Sequence, residues 1–203
     1  MLTIRSRCRG VILINAQSNV FDYITLDNYN AGRAVAAYLY ENGHRRIGAA
    51  LCLPDYANEF GDRYRGARDF LHEHGLTLLA ETVNDRQHEF AIIRDFLTVY
   101  RKRQATAMIC FKDLTALMLY ELARREKLRL PDDMSVVSFD DRCYTGFVHP
   151  ALSTVRYPAE EVGRAVLEGV NTLLNGEPLN LHRQIVPTLL KRDSVAQIRP
   201  GKK

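Results

Sequence analysis

Two adjacent carboxylates close an almost wholly apolar run in the stretch SVVSFDDR, residues 135–142. Such a run reads as a buried strand, and a carboxylate at its end is costly unless donors meet it. Something must therefore bond to Asp140 or Asp141, and a small ligand is one candidate. Successive residues leaving a strand point to opposite sides, so the two are not expected to converge on one ligand. Asp141, which need not share a ligand with Asp140, is expected to cap the following turn or bond backbone amides. A second charged pair, Lys112 and Asp113, follows the apolar run AMICF at 107–111, and Asp113 stands where a helix cap belongs.

Catalytic chemistry finds little support. The six histidines are dispersed, and His72 and His74, two apart on a helix, point in different directions and make a poor metal pair. There is no G-x-S-x-G, no P-loop and no G-x-G-x-x-G after a strand. Asp140 and Asp141 do not make a glycosidase pair, which needs carboxylates facing one substrate from opposite sides. Neither an enzyme, a metal site nor a cofactor is expected.

The elements around these residues suit a ligand-binding protein. The chain has 203 residues, 46% hydrophobic and 26% charged, enough to bury one or two cores. A formal charge of +4, spread without a basic stripe, is weak support for nucleic-acid contact. Four cysteines without C-x-x-C spacing, three in apolar strand-like surroundings, suit reduced core thiols of a cytoplasmic protein. No apolar run approaches membrane-spanning length, and residues 1–10 carry basic residues without a signal-peptide core, so no membrane partner is expected.

Strand and helix signals alternate along the chain. Apolar runs at 11–15, 23–27, 46–53, 78–82 and 107–111 read as strands. Between them lie amphipathic helices, one from Asn28 to a stop at Gly43, one through 62–74 to Gly75, and one carrying Ile93, Phe96, Leu97 and Tyr100. After His149-Pro150 come a strand at 152–158, a helix begun by Pro158 that buries Val162, Val166, Val170 and Leu173, and two short strands at 184–192. This alternation implies parallel βαβ units in a doubly wound α/β fold, whose ligands bind beyond the carboxyl ends of the strands. Asp140 and Lys112 both stand at such ends. The helix from Leu114 to Ala123 is apolar over more than one stripe, so its second face is covered either inside the protein or by another subunit.

In combination, LDNYNAGRAVAAYLYENGHRRIGAA (26–50), DRYRGARDFLHEHGL (62–76), AMICFKDLTALML (107–119), LPDDMSVVSFDD (130–141), HPALSTVRYP (149–158) and PTLLKRDSV (187–195) closely resemble the effector-binding region of the LacI/GalR family of bacterial transcription regulators. The resemblance covers nearly the whole chain from Val11 onward. It implies a periplasmic-binding-protein-like (type I) fold with doubly wound parallel sheets: two lobes joined by three crossing strands, a small effector between them, and a homodimer. Residues 28–154 would form a complete C-terminal effector-binding lobe, completed by the last strand and tail at 188–203. Residues 1–27, a remnant, and the returning segment 155–187 would form an incomplete N-terminal lobe. Family members begin with a helix-turn-helix domain, so operator DNA is expected to be bound only through a domain absent from this chain. A stand-alone sugar-binding module is the alternative.

The resemblance also implies site residues. The Arg of the R-x-x-G stretch, Arg63, and the first Asp after the SVVSF strand, Asp140, would contact the effector, a sugar, sugar phosphate or nucleobase-like molecule. A guanidinium offers fixed donors and a carboxylate accepts from adjacent hydroxyls, which suits polyols; the alternative is an ion pair between the two without a ligand. An uncharged residue is common in the family where Lys112 stands. Its ammonium either favours an effector with phosphate or carboxylate or is a solvated charge. Phe90 would supply an apolar wall or fill a core, and Tyr56 and Phe60 lie in the approach to Arg63.

Overall fold

The computed structural model describes residues 8, 10–52, 59–82, 100–101 and 104–198. The described strands are β1 (Ile12–Ile14), β2 (Asp22–Leu26), β3 (Ile47–Cys52), β4 (Leu79–Thr82), β5 (Ala107–Cys110), β6 (Ser135–Asp140), β7 (Ser153–Arg156), β8 (His182–Ile185) and β9 (Thr188–Leu190). The described helices are α1 (Asn28–Glu41), α2 (Glu59–Glu73), α3 (Asp113–Arg125) and α4 (Ala159–Leu174). The chain divides into two compact units, 1–27 with 158–187 and 28–157 with 188–203. The division falls after 157 rather than 154 because β7 is hydrogen-bonded through Arg156 to both β6 and β9, which keeps it in the larger unit.

The larger unit is built on a six-stranded sheet of order β4-β3-β5-β6-β7-β9, parallel except for the antiparallel β7–β9 pair. Its central strands carry side chains alternately into two cores, which is why β5 reads as an unbroken apolar run and β6 as a largely apolar one. Ile109, Phe111, Val137 and Phe139 pack with Val35 and Leu39 of α1 and Leu71 of α2. Met108, Cys110 and Val136 pack with Ala116, Leu119 and Leu122 of α3. Both faces of the sheet are thus covered, and its carboxyl ends carry Lys112 with Asp113 and Asp140 with Asp141.

After β9 the chain runs back along this unit and is stitched into it. The buried Ser194 hydroxyl donates to the Val136 carbonyl (2.6 Å) and accepts from the Ser153 N–H (2.8 Å). Ala196 N–H donates to Ser135 Oγ (2.9 Å), and Ile198 N–H to the Asn42 carbonyl (2.8 Å). His44, 1% exposed, places Nε2 3.1 Å from the Ala196 carbonyl and Nδ1 2.9 Å from Thr106 Oγ1. With its proton on Nε2 the ring donates to Ala196 and accepts from Thr106.

Burial, reinforced by the nearby Arg45 charge and opposed by the Ala196 bond, lowers the His44 pKa to about 4. The unfolded chain therefore takes up this proton at higher pH than the native protein, and stability is lost as pH falls from the ordinary histidine value toward 4. The expected loss attributable to His44 is about 2 kcal/mol at pH 5 relative to pH 7.5. Urea denaturation at the two pH values measures it. His44→Gln should flatten that slope, and an equal slope in both proteins would refute the assignment.

The smaller unit holds a three-stranded parallel sheet, β1-β2-β8, with α4 against it. The expected inward face of α4 is only partly correct. Val162 is buried, but Val170 is exposed, and Ala165 and Gly169 take the inner positions. Small residues win because they let the helix approach the sheet: a Cβ on Gly169 would lie 2.7 Å from Ile12 Cδ1. Pro158 is likewise the N-cap, with the helix starting at Ala159. No described helix is long and apolar enough to cross a membrane.

Candidate functional site

Arg63 reaches the carboxyl end of the sheet through a close helix crossing. A Cβ on Gly32 of α1 would lie 2.0 Å from the Arg63 carbonyl oxygen, and one on Gly66 of α2 would lie 1.9 Å from that of Tyr29. Only glycine allows such backbone contact. The Arg63 side chain then runs inward and is 4% exposed. Its Nε–H donates to Asn28 Oδ1 (2.9 Å), Nη1 donates to the Phe111 carbonyl (2.9 Å), and the guanidinium carbon lies 4.8 Å from the centre of the Phe139 ring. Nη1 also meets Asp140 Oδ1 at 3.3 Å. The ion pair given above as the alternative to a ligand contact is formed, by a buried cation and a carboxylate that remains 27% exposed.

Asp140 and Asp141 leave β6 in an unusual backbone, with φ of 110° and 53°. Neither is glycine, and such conformations each cost about 1–3 kcal/mol unless the surroundings enforce them. Asp140 still pairs with Arg156 of β7, and the two carboxylates go to different partners. Asp141 accepts from Thr145 Oγ1 (2.9 Å), Arg156 Nε (2.8 Å) and Arg192 Nη2 (2.8 Å). Burial works against its ionisation, but the bonds from Arg156, Arg192 and Thr145 outweigh it and hold the carboxyl below its usual range. It holds the loop through side chains where a turn cap or backbone amides were expected.

Asp113 also departs from expectation. The N-cap of α3 is Lys112, in extended backbone without a side-chain cap bond, and Asp113 is the first helical residue. Its buried carboxylate accepts from Ser138 Oγ (2.5 Å), Thr154 Oγ1 (2.9 Å) and the Arg142 N–H (2.8 Å). Burial raises its pKa against these three donors, and the nearby Asp140 charge adds to the rise. A cap would bond its own helix; this residue ties β6 and β7 together.

The structure therefore brings Arg63, Asp140 and Asp113 together, and places the exposed Lys112 at the same end of the sheet. Phe90 and Tyr56 lie outside the described residues, and of Phe60 only the helical backbone is described. Sequence reasoning missed Asn28, Ser138 and Thr154 as partners. Ser138 had a signal, since a hydroxyl inside an apolar strand must find a partner. Of the cysteines described in side-chain detail, Cys110 alone is buried, its thiol pushed up by desolvation; Cys8 and Cys143 are exposed because they lie outside the strands. Among the described residues no three His, Cys, Asp or Glu side chains gather around a metal position.

On α3, Leu114 is 50% exposed and Leu117 and Met118 are half-buried. The neighbouring loop, tied to α3 by Tyr120 Oη donating to the Pro150 carbonyl (3.0 Å), carries Phe147 at 89% exposure.

A family model described as a periplasmic binding protein-like domain matches residues 36–195. The chain is 27% identical over 183 residues to the arabinose metabolism transcriptional repressor of Geobacillus stearothermophilus, covering 86% of this chain and 50% of the repressor. Among solved structures it is similar to a LacI-family transcriptional regulator from Rhizobium etli (30% identity, TM-score 0.77, 91% of this chain and 70% of that one). It also shares the fold of a LacI-family regulator from Enterococcus faecium with bound ribose (19% identity, TM-score 0.80, 98% and 74%). The chain spans about half the length of the curated relatives it matches.

Proposed function

Because this chain belongs to the LacI/GalR family of transcriptional regulators, with the type I periplasmic-binding-protein-like fold of its effector-binding domain, we propose that it senses a small polar effector at the carboxyl end of the larger unit's sheet. The observation that carries the reading is the Arg63–Asp140 pair: a guanidinium fixed by Asn28 and Phe111 beside a partly exposed carboxylate in strained backbone. Perturbed geometry of this kind gathers at functional sites. Asp140 would accept from adjacent hydroxyls and Arg63 would donate to ring or hydroxyl oxygens, as a sugar, sugar phosphate or nucleobase-like effector requires.

Relatives named for arabinose metabolism and solved with ribose support a sugar. Lys112 would meet a phosphate or carboxylate, and Phe90 would wall the site. Effector binding would control a helix-turn-helix domain outside these 203 residues, in a cytoplasmic homodimer formed through α3 and the Phe147 loop. These residues hold and orient a ligand rather than react with it, which is the chemistry of a binding protein and not of an enzyme.

Thermal unfolding with D-ribose, L-arabinose, D-ribose 5-phosphate and adenine tests this. At a hundredfold excess over Kd a ligand adds about 2.7 kcal/mol, or roughly 5–10 °C for a chain of this size. The expected result is a shift with at least one probe that Arg63→Ala and Asp140→Ala each abolish. A shift that survives in both variants would remove these residues from the site. A phosphate-dependent part lost in Lys112→Gln would assign that residue its anion.

A further inference from the structure

The strained backbone at Asp140 and Asp141 needs something to enforce it. On the sequence, Ser138 lies two residues before Asp140 and Arg142 two residues after it. Asp113 bonds both: Oδ1 accepts from Ser138 Oγ at 2.5 Å and Oδ2 from the Arg142 N–H at 2.8 Å. The same Oδ1 accepts from Thr154 Oγ1 at 2.9 Å, and Thr154 pairs with Ser138 in the β6–β7 register. Asp140 is thereby bracketed on both flanks by one buried side chain contributed by the first residue of α3, just beyond the adjacent strand β5.

We propose that Asp113 is a positioning residue for Asp140, holding the positive-φ backbone at Asp140 and Asp141 that presents the Asp140 carboxylate to Arg63. This rests on the reading of Asp140 and Arg63 as effector contacts, and Asp113 itself touches no effector. A carboxylate suits the task because it accepts at both oxygens, and the Arg142 N–H cannot reverse its role. Serine and threonine hydroxyls can. An asparagine at 113 could accept from Arg142 through Oδ1 while its amide donates to Ser138 and Thr154, whereas alanine leaves all three groups without this partner. Burial of the Asp113 carboxyl, which opposes its ionisation, agrees with a group retained for its bonds.

The test needs no effector. In the full chain, exchange of the Arg63 side-chain N–H protons is followed by NMR in Asp113→Ala, Asp113→Asn and a control, Met134→Ala, which opens a cavity in the buried cluster beneath α3. Asp113→Ala should speed Arg63 exchange about tenfold or more. Asp113→Asn should return it to within about threefold of the unaltered protein, and the control should stay within the same limit. Unchanged exchange in Asp113→Ala, an equal change in the control, or failure of asparagine to restore the rate would each overturn the proposal. Should Asp113→Ala not fold, Ser138→Ala removes one arm of the bracket; exchange raised at least about threefold supports the assignment and an unchanged rate refutes it. A parent protein that binds none of the effector probes, while Asp113→Ala still speeds Arg63 exchange and Asp113→Asn restores it, would count against the functional reading alone.

Discussion

Gly66→Ala is expected to destabilise the larger unit by about 3 kcal/mol or more, at or above the upper end of ordinary overpacking. The added methyl would lie 1.9 Å from the Tyr29 carbonyl oxygen and 2.9 Å from its carbon. Both are backbone atoms of a helix, so no rotamer change relieves the clash. α1 and α2 would have to separate by more than an ångström, opening the cluster that joins Val35 and Leu39 to Leu71. Gly32→Ala meets the Arg63 carbonyl oxygen at 2.0 Å and should behave alike. In a chain of this length the melting temperature should fall by at least roughly 6–12 °C. Gly163→Ala is the control: its methyl meets open space in α4, and helix propensity should leave it neutral or up to about 1 kcal/mol more stable. A Gly66→Ala protein melting within 2 °C of the parent, on the order of measurement scatter, would show that the helices yield at little cost.

The second large effect concerns assembly. Phe147 at 89% exposure and Leu114 at 50% lie on neighbouring elements, with half-buried Leu117 and Met118 between α3's inner and outer faces. Large apolar side chains that find no cover in their own chain suit the centre of an interface. Sedimentation at micromolar concentration should give a dimer of the 23.2 kDa chain. Phe147→Glu should weaken it by about 30- to 1,000-fold, the equivalent of the roughly 2–4 kcal/mol that a central anchor carries. Its thermal stability, measured in dilute solution, should barely change, because Phe147 contributes little to its own core. A parent that sediments as a monomer, or a variant that still dimerises fully, would assign this surface no part in assembly.

What the sequence made legible was local or periodic. Parallel strands buried on both faces read as apolar runs, and the 3.6-residue spacing marked α1 and α2. Asp140 stood out because its desolvation demanded a partner, and Arg63 because of Gly66 three residues later in a recognisable stretch. Asp113 was misread because the cap rule looks only at its own helix, whereas its partners lie 25 to 41 residues away. The positive φ at Asp140 and Asp141 carries no glycine to announce it, since side-chain bonds on both flanks hold that backbone. The inner face of α4 was displaced because spacing ranks valines above glycine, whereas close approach to the sheet ranks them the other way.

The return of residues 191–198 onto β6 and α1 has a consequence for the order of folding. The groups they join, Ser135, Val136, Asn42 and His44, precede them by 58 to 156 residues, and the segment 158–187 belongs to the other unit in between. Loop closure over such separations is entropically unfavourable and slow. During synthesis the larger unit's first five strands can emerge with their helices, yet β7 stays an open sheet edge until β9 is free, and the amino ends of its neighbours stay unsealed until residue 198 follows. A chain stalled before that point would display a parallel sheet with one exposed flank, the state in which chaperone capture or edge-to-edge aggregation is favoured.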